Sequence, residues 1–85
     1  MKIFKKDQAL KELKKNQEEH PYYKRIDMPK PVLVKVNGID SEKKIIEWSN
    51  QYTSSSSNVL DFHTNHIHLT NEDEILEAME LFGDL

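Results

Sequence analysis

Asn58–Thr70 reads N-V-L-D-F-H-T-N-H-I-H-L-T. Leu60 and Phe62 alternate with Asp61 and His63, and Ile67 and Leu69 alternate with His66 and His68. Two period-2 runs meeting at Thr64-Asn65 predict a β-hairpin, and Asn suits the tight turn because it tolerates positive φ. In that register His63 faces His66, Phe62 faces Ile67, Asp61 faces His68 and Leu60 faces Leu69. Leu60, Phe62, Ile67 and Leu69 then share one face, and Asp61, His63, His66 and His68 share the other.

Working outward, the 85 residues predict one small domain with a modest core, at 36% hydrophobic and 32% charged residues. Only two glycines and three prolines interrupt it, which favours a helix-rich α+β chain over a disordered one. The absence of cysteine excludes a disulfide framework and thiolate metal sites. No apolar run approaches the roughly 20 residues of a membrane span. The opening M-K-I-F-K-K-D-Q lacks the apolar core of a signal peptide, so the expected compartment is the cytoplasm.

Upstream, residues 4–19 hold good helix formers with only Phe4, Ala9, Leu10 and Leu13 apolar. The stripe is narrow, which predicts a helix at an edge or projecting outward. His20-Pro21 ends it, giving boundaries of 1–20 for the helix, 21–31 for a Pro-containing connector and 32–83 for the core. Tyr22–Asp27 within the connector reads as a short edge strand. Val32–Val36, V-L-V-K-V, is the strongest strand signal, with the three valines on one side. Asn37-Gly38 reads as a turn, and Asp40 or Ser41 as the cap of a helix to about Tyr52, with Ile45, Trp48 and Tyr52 inward. Thr53–Ser57 reads as a polar linker.

Downstream, Asn71 and Glu74 suggest a capping box. Ile75, Ala78, Met79 and Phe82 line one face of a closing helix, and Gly83 suits its C′ position. The predicted fold is α+β: an N-terminal helix, then β-α-β-β-α, with a three-stranded sheet and helices on one face.

Three groups of residues carry candidate function. Residues 1–36 hold five more positive than negative charges, and residues 37–85 hold eight more negative than positive. Such a dipolar chain suits a charged partner at either end, self-association through the two ends, or plain solvation. Glu72, Asp73, Glu77 and Glu80 form an acidic helix face suited to a basic protein surface, with Tyr22 and Tyr23 as exposed aromatic anchors. Lys11, Lys14, Lys15, Tyr22, Tyr23, Lys24 and Arg25 interleave cations with aromatics. They fit RNA or DNA, and fit equally a solvated helix beside tyrosines packed on the core. Asp61, His63, His66 and His68 have the donor types for zinc, as a metal site or metal-dependent hydrolase. The spacing H-x-x-H-x-H is also met in an ordinary polar or pH-responsive strand face. No nucleophile motif or desolvated carboxylate pair is present, so an enzyme is not expected.

At N-H-I-H-L-T-N-E-D-E-I-L-E-A-M-E-L-F, residues 65–82, the chain resembles small phage-encoded accessory proteins. In these a strand ends in an Asn-Glu-Asp or similar turn and leads into a closing helix, and the β-α-β-β-α order extends the likeness over 32–82. The resemblance implies a host-takeover or anti-defence inhibitor, a class that includes anti-CRISPRs. Such proteins act by binding a host protein, often with an acidic surface. Zinc apart, no cofactor is expected, and the chain is expected to be a monomer or a homodimer. One Arg against eleven Lys fits an AT-rich coding genome.

Overall fold

Val34 and Val36 alternate with Leu33 and Lys35, and this strand becomes the middle of a sheet. A computed structural model describes residues 2–85, with side chains from Lys5 onward. The elements run α1 (Lys2–Glu19), β1 (Tyr22–Arg25), β2 (Val32–Asp40), β3 (Ile45–Ser49), β4 (Ser54–Asn58), α2 (Val59–Asn65), β5 (His66–His68) and α3 (Glu72–Leu81). The fold is α+β as expected, but the sheet has five antiparallel strands, not three, in the order β4-β3-β2-β1-β5, because the Tyr22–Arg25 and Ser54–Asn58 segments both join it.

Both faces of this sheet are covered, not one. Leu13 from α1 and Val59 and Phe62 from α2 pack on Tyr23, Val34, Val36, Ile46 and Trp48. On the opposite face, Ile75, Ala78 and Met79 of α3, with Phe82 at its C-cap, pack on Tyr22, Leu33 and Leu69. Leu33 therefore has an apolar partner, as a residue on the far side of a fully covered strand should. α1 does not project outward: Ala9 and Leu13 are buried, and Leu10 packs against the core they help close. A narrow stripe is enough when it faces a second helix as well as the sheet.

Five local expectations change. The helix predicted to Tyr52 is instead strand β3. Ile46 and Trp48 are buried while Glu47 is exposed, a period of two. Asp40 does accept from the Glu42 and Lys43 amides, but it caps one turn only. Lys44 then reverses the chain at φ 57. Asn37-Gly38 is not a turn but a bulge in β2, where the register shifts between Val36 and Gly38.

The serine run predicted as a linker is strand β4. Asn50 holds the tight connection to it, its Oδ1 accepting from the Tyr52 and Thr53 amides at 2.8 and 2.9 Å. Serine has little strand propensity of its own, so β3 supplies the pairing. Finally, the first arm of the predicted hairpin is helix α2. Asn58 accepts from the Asp61 amide at 2.9 Å as an N-cap, and Val59 and Phe62 fall at i and i+3 on its buried side. β5 is the expected second arm, but it pairs with β1. β1 thus lies inside the sheet, between β2 and β5, and not at an edge.

The closing helix follows its sequence signals. Asn71 Oδ1 accepts from the Asp73 and Glu74 amides at 2.9 and 3.2 Å. Gly83 adopts φ 73, and the amides of Gly83 and Asp84 donate to the carbonyls of Glu80 and Met79. These bonds make a Schellman motif, whose left-handed position favours glycine. No described helix is long and apolar enough to cross a membrane.

Candidate functional site

α3 places the acidic set on one surface. Its apolar stripe is turned to the sheet, so the residues between are forced outward. Glu72, Asp73, Glu77 and Glu80 are all exposed. None of the four forms an ion pair among the described residues, whereas Glu74 is bound by Lys24 at 2.8 Å. Leu76 lies among them, one helical turn from Glu72, Asp73 and Glu80, and is 50% exposed. Glu77, Glu80 and Leu81 line a groove together with Lys30, Pro31 and Tyr52. Tyr52 is 76% exposed, not turned inward as its helical spacing predicts, because β3 ends at Ser49 and residue 52 lies in the bend that leads to β4.

The far end of α3 is fastened by Asp84. Its Oδ2 accepts from the Tyr22 hydroxyl at 2.5 Å and from Lys35 Nζ at 2.7 Å. Lys35, then Tyr22, hold the Asp84 carboxyl below the usual carboxylate range. Burial, then the Asp84 carboxylate, push the Tyr22 hydroxyl up to about 12. The acidic face is thereby carried on a helix tied to the sheet at its C-terminal end.

The cation–aromatic group is dismantled. Adjacent strand residues point to opposite faces, so Tyr22 lies under α3 and Tyr23 under α1 and α2. They are 4% and 2% exposed, and neither ring offers a face to a base or anchors a partner from the surface. Lys24 is engaged by Glu74, and Arg25 by Asp27 at 2.6 Å. Lys11, Lys14 and Lys15 are exposed on α1, interleaved with Glu12 and Glu18.

The proposed metal group is also separated, because the hairpin that defined it does not form. Asp61 and His63 sit on α2. Asp61 is held by the Asn58 amide at 2.8 Å, and His63 lies 3.3 Å from Glu12. His66 and His68 face the core side of β5, opposite Arg25 and Tyr23. Among the described residues no cluster of three or more His, Asp or Glu has the geometry to hold a metal ion.

In place of a metal site, three of the four imidazoles, those of His20, His66 and His68, join an aromatic chain through the molecule. Phe82 stacks on Tyr22, Tyr22 on His20, and His20 on His68 with centroids 4.0 Å apart. His68 then leans on Tyr23, Tyr23 meets Phe62 edge-on, and Phe62 stacks on His66 at 3.8 Å. His20 was absent from the expected group; its neighbour His68 is 48 positions away, a separation no local pattern reports.

Each ring is held by backbone. His20 Nε2–H donates to the Leu69 carbonyl at 2.8 Å while its Nδ1 accepts from the Tyr22 amide at 3.1 Å. These two bonds define a neutral tautomer. His68 Nε2 donates to the His20 carbonyl at 3.0 Å, and His66 Nδ1 to that of Phe62 at 2.9 Å. His66 Nε2 is left buried without a partner. Burial lowers the pKa of His66, and burial followed by His68 lowers that of His20. These groups stabilise the fold as uncharged rings.

Compared with protein-family models, curated proteins and solved structures, the chain matches none of them.

Proposed function

We propose that this is a small non-enzymatic binding protein that docks on a host protein through the outer face of α3, in the manner of a phage accessory inhibitor. The observation that carries this reading is the set of four exposed, unpaired carboxylates around Leu76. Folding does not account for all of them. Glu72 and Asp73 lie at the positive end of the helix dipole and stabilise it. Glu80 lies in the last turn, which holds no basic residue, where a carboxylate is disfavoured. Asp73 and Glu77 are like charges at i and i+4, which repel.

A basic partner surface relieves that repulsion and is steered toward it, and Leu76 with Tyr52 supplies apolar contact area. The cations of β1 are engaged in ion pairs and its tyrosines are buried, which leaves a nucleic acid only Lys11, Lys14 and Lys15 of α1, interleaved with Glu12 and Glu18 and with no exposed aromatic beside them. The test is charge reversal, Glu77→Lys with Glu80→Lys, beside the separate change Leu76→Ala. Both variants should keep their circular dichroism spectrum and lose the partner. Unchanged binding by the charge-reversed protein would remove α3 from the interface.

A further inference from the structure

We propose that two copies of this chain pair edge to edge through β4, antiparallel about Ser56, joining their five-stranded sheets into one. β4 is an edge of the sheet, and its ladder phase decides which groups are free. The bonds from Asn50 N to Thr53 O at 2.9 Å and from Val59 N to Lys44 O at 3.0 Å bracket the pairing with β3. Alternation between them turns the backbone groups of Ser55 and Ser57 inward, toward Trp48 and Ile46. Those of Ser54, Ser56 and Asn58 face outward.

Edges in monomeric proteins carry devices that discourage pairing: lysines, prolines, bulges or short length. β4 has none of them. It reads S-S-S-S-N, is uncharged in a chain with 32% charged residues, and pairs with β3 without a register shift. The opposite edge, β5, is only three residues long.

The occupant is a second copy because the edge is complementary to itself. With Ser56 opposite Ser56, its N–H and C=O bond to their counterparts, and each Asn58 N–H meets a Ser54 C=O. The result is about four backbone hydrogen bonds, since the Asn58 carbonyl is turned into α2. Small serines offer none of the side-chain anchors by which an edge selects a foreign strand. One short strand pair falls below the roughly 1,000 Å² of a stable interface, so the dimer is weak and concentration-dependent.

Sedimentation from about 10 µM to about 1 mM should show a monomer becoming a dimer. Ser56→Pro deletes an outward N–H without touching the β3 ladder. It should stay monomeric throughout with an unchanged circular dichroism spectrum. Ser56→Lys, which sets like charges opposite each other, should do the same. The chain has no cysteine, so single-cysteine variants report the register. Opposed Cα atoms at a bonded pair lie about 5.5 Å apart, within disulfide range. Ser56→Cys should therefore cross-link on oxidation, and Ser54→Cys, which faces Asn58, should cross-link far more slowly. A wild-type monomer at the highest concentration would overturn the proposal. So would a Ser56→Lys dimer as strong as wild type, or equal cross-linking at 54 and 56. Charge reversal at Glu77 and Glu80 should leave the dimer intact, which separates this edge from α3 docking.

Discussion

Acidification should weaken this fold through its buried imidazoles, and His66 is the place to measure it. Its Nδ1–H is committed to the Phe62 carbonyl, so a second proton must go on Nε2, which is buried without an acceptor. Burial, with Arg25 adding to it, keeps the ring neutral against the opposing pull of the Phe62 bond and Asp27. His20 is shifted the same way, by burial and then His68 and against Glu19. Because the folded pKa lies below the unfolded one, the unfolded chain takes up the proton first. Stability is therefore complete above the unfolded value near 6.5 and declines as pH falls from there toward the folded pKa.

The limiting slope is about 1.4 kcal/mol per pH unit for each proton. Between pH ~7 and ~5.5 a ring that took up no proton in the fold would remove about 1.2 kcal/mol, which is the ceiling for His66; His20, only partly buried and screened by solvent, adds less. A domain of this size has roughly 4–13 kcal/mol in total. Asp27 and Asp84, whose carboxyls are held low by Arg25 and by Lys35 with Tyr22, lose their contributions only below their ordinary pKa near 4. They stay outside this window. Urea denaturation at half-unit pH steps, followed by circular dichroism and the single tryptophan, reads the slope. His66→Gln keeps an amide donor for the Phe62 carbonyl and does not titrate, so its slope should fall by one proton. An unchanged slope in His66→Gln, or stability that rises as pH falls, would refute the reasoning.

Phe62→Ala should cost about 3–5 kcal/mol, because the ring touches both Tyr23 and His66 under α1; a loss below about 1 kcal/mol would mean the site refills. Tyr23→Phe should leave stability unchanged or raise it by about 1 kcal/mol, since burial pushes the hydroxyl up to about 12 and its one polar neighbour, Asn16, is not placed to make a well-formed hydrogen bond. A clear loss in that variant would reveal a hydrogen bond at the hydroxyl. Gly83→Ala should lose about 1 kcal/mol through backbone strain alone, as no atom lies within 4 Å of the added Cβ. Gly83→Asn, which tolerates the left-handed region better, should lose less.

What was legible in the sequence is what local signals encode. Val32–Val36, the Asn71 cap, the Ile75–Phe82 stripe and the Gly83 stop each depend on neighbours in the chain, and each forms as read. The acidic face was legible too, since outward residues follow from knowing which stripe turns inward. α2 was not, because L-D-F-H alternates like a strand while Val59 and Phe62 also fit a helix; the Asn58 cap decides it. β4 was not, because its serines become a strand only beside β3. The tyrosines and histidines were misplaced for a similar reason. Their surroundings depend on β5 pairing with β1, a contact across more than 40 residues that brings His68 against Tyr23.

The most direct test of α3 as a docking surface is an affinity pull-down from bacterial lysate, with and without nuclease, run in parallel on the wild type and the Glu77→Lys, Glu80→Lys double variant. The expected result is a defined protein retained by the wild type after nuclease treatment and absent from the folded double variant. Equal retention by both, or proteins held only through nucleic acid and lost on nuclease treatment, would contradict it.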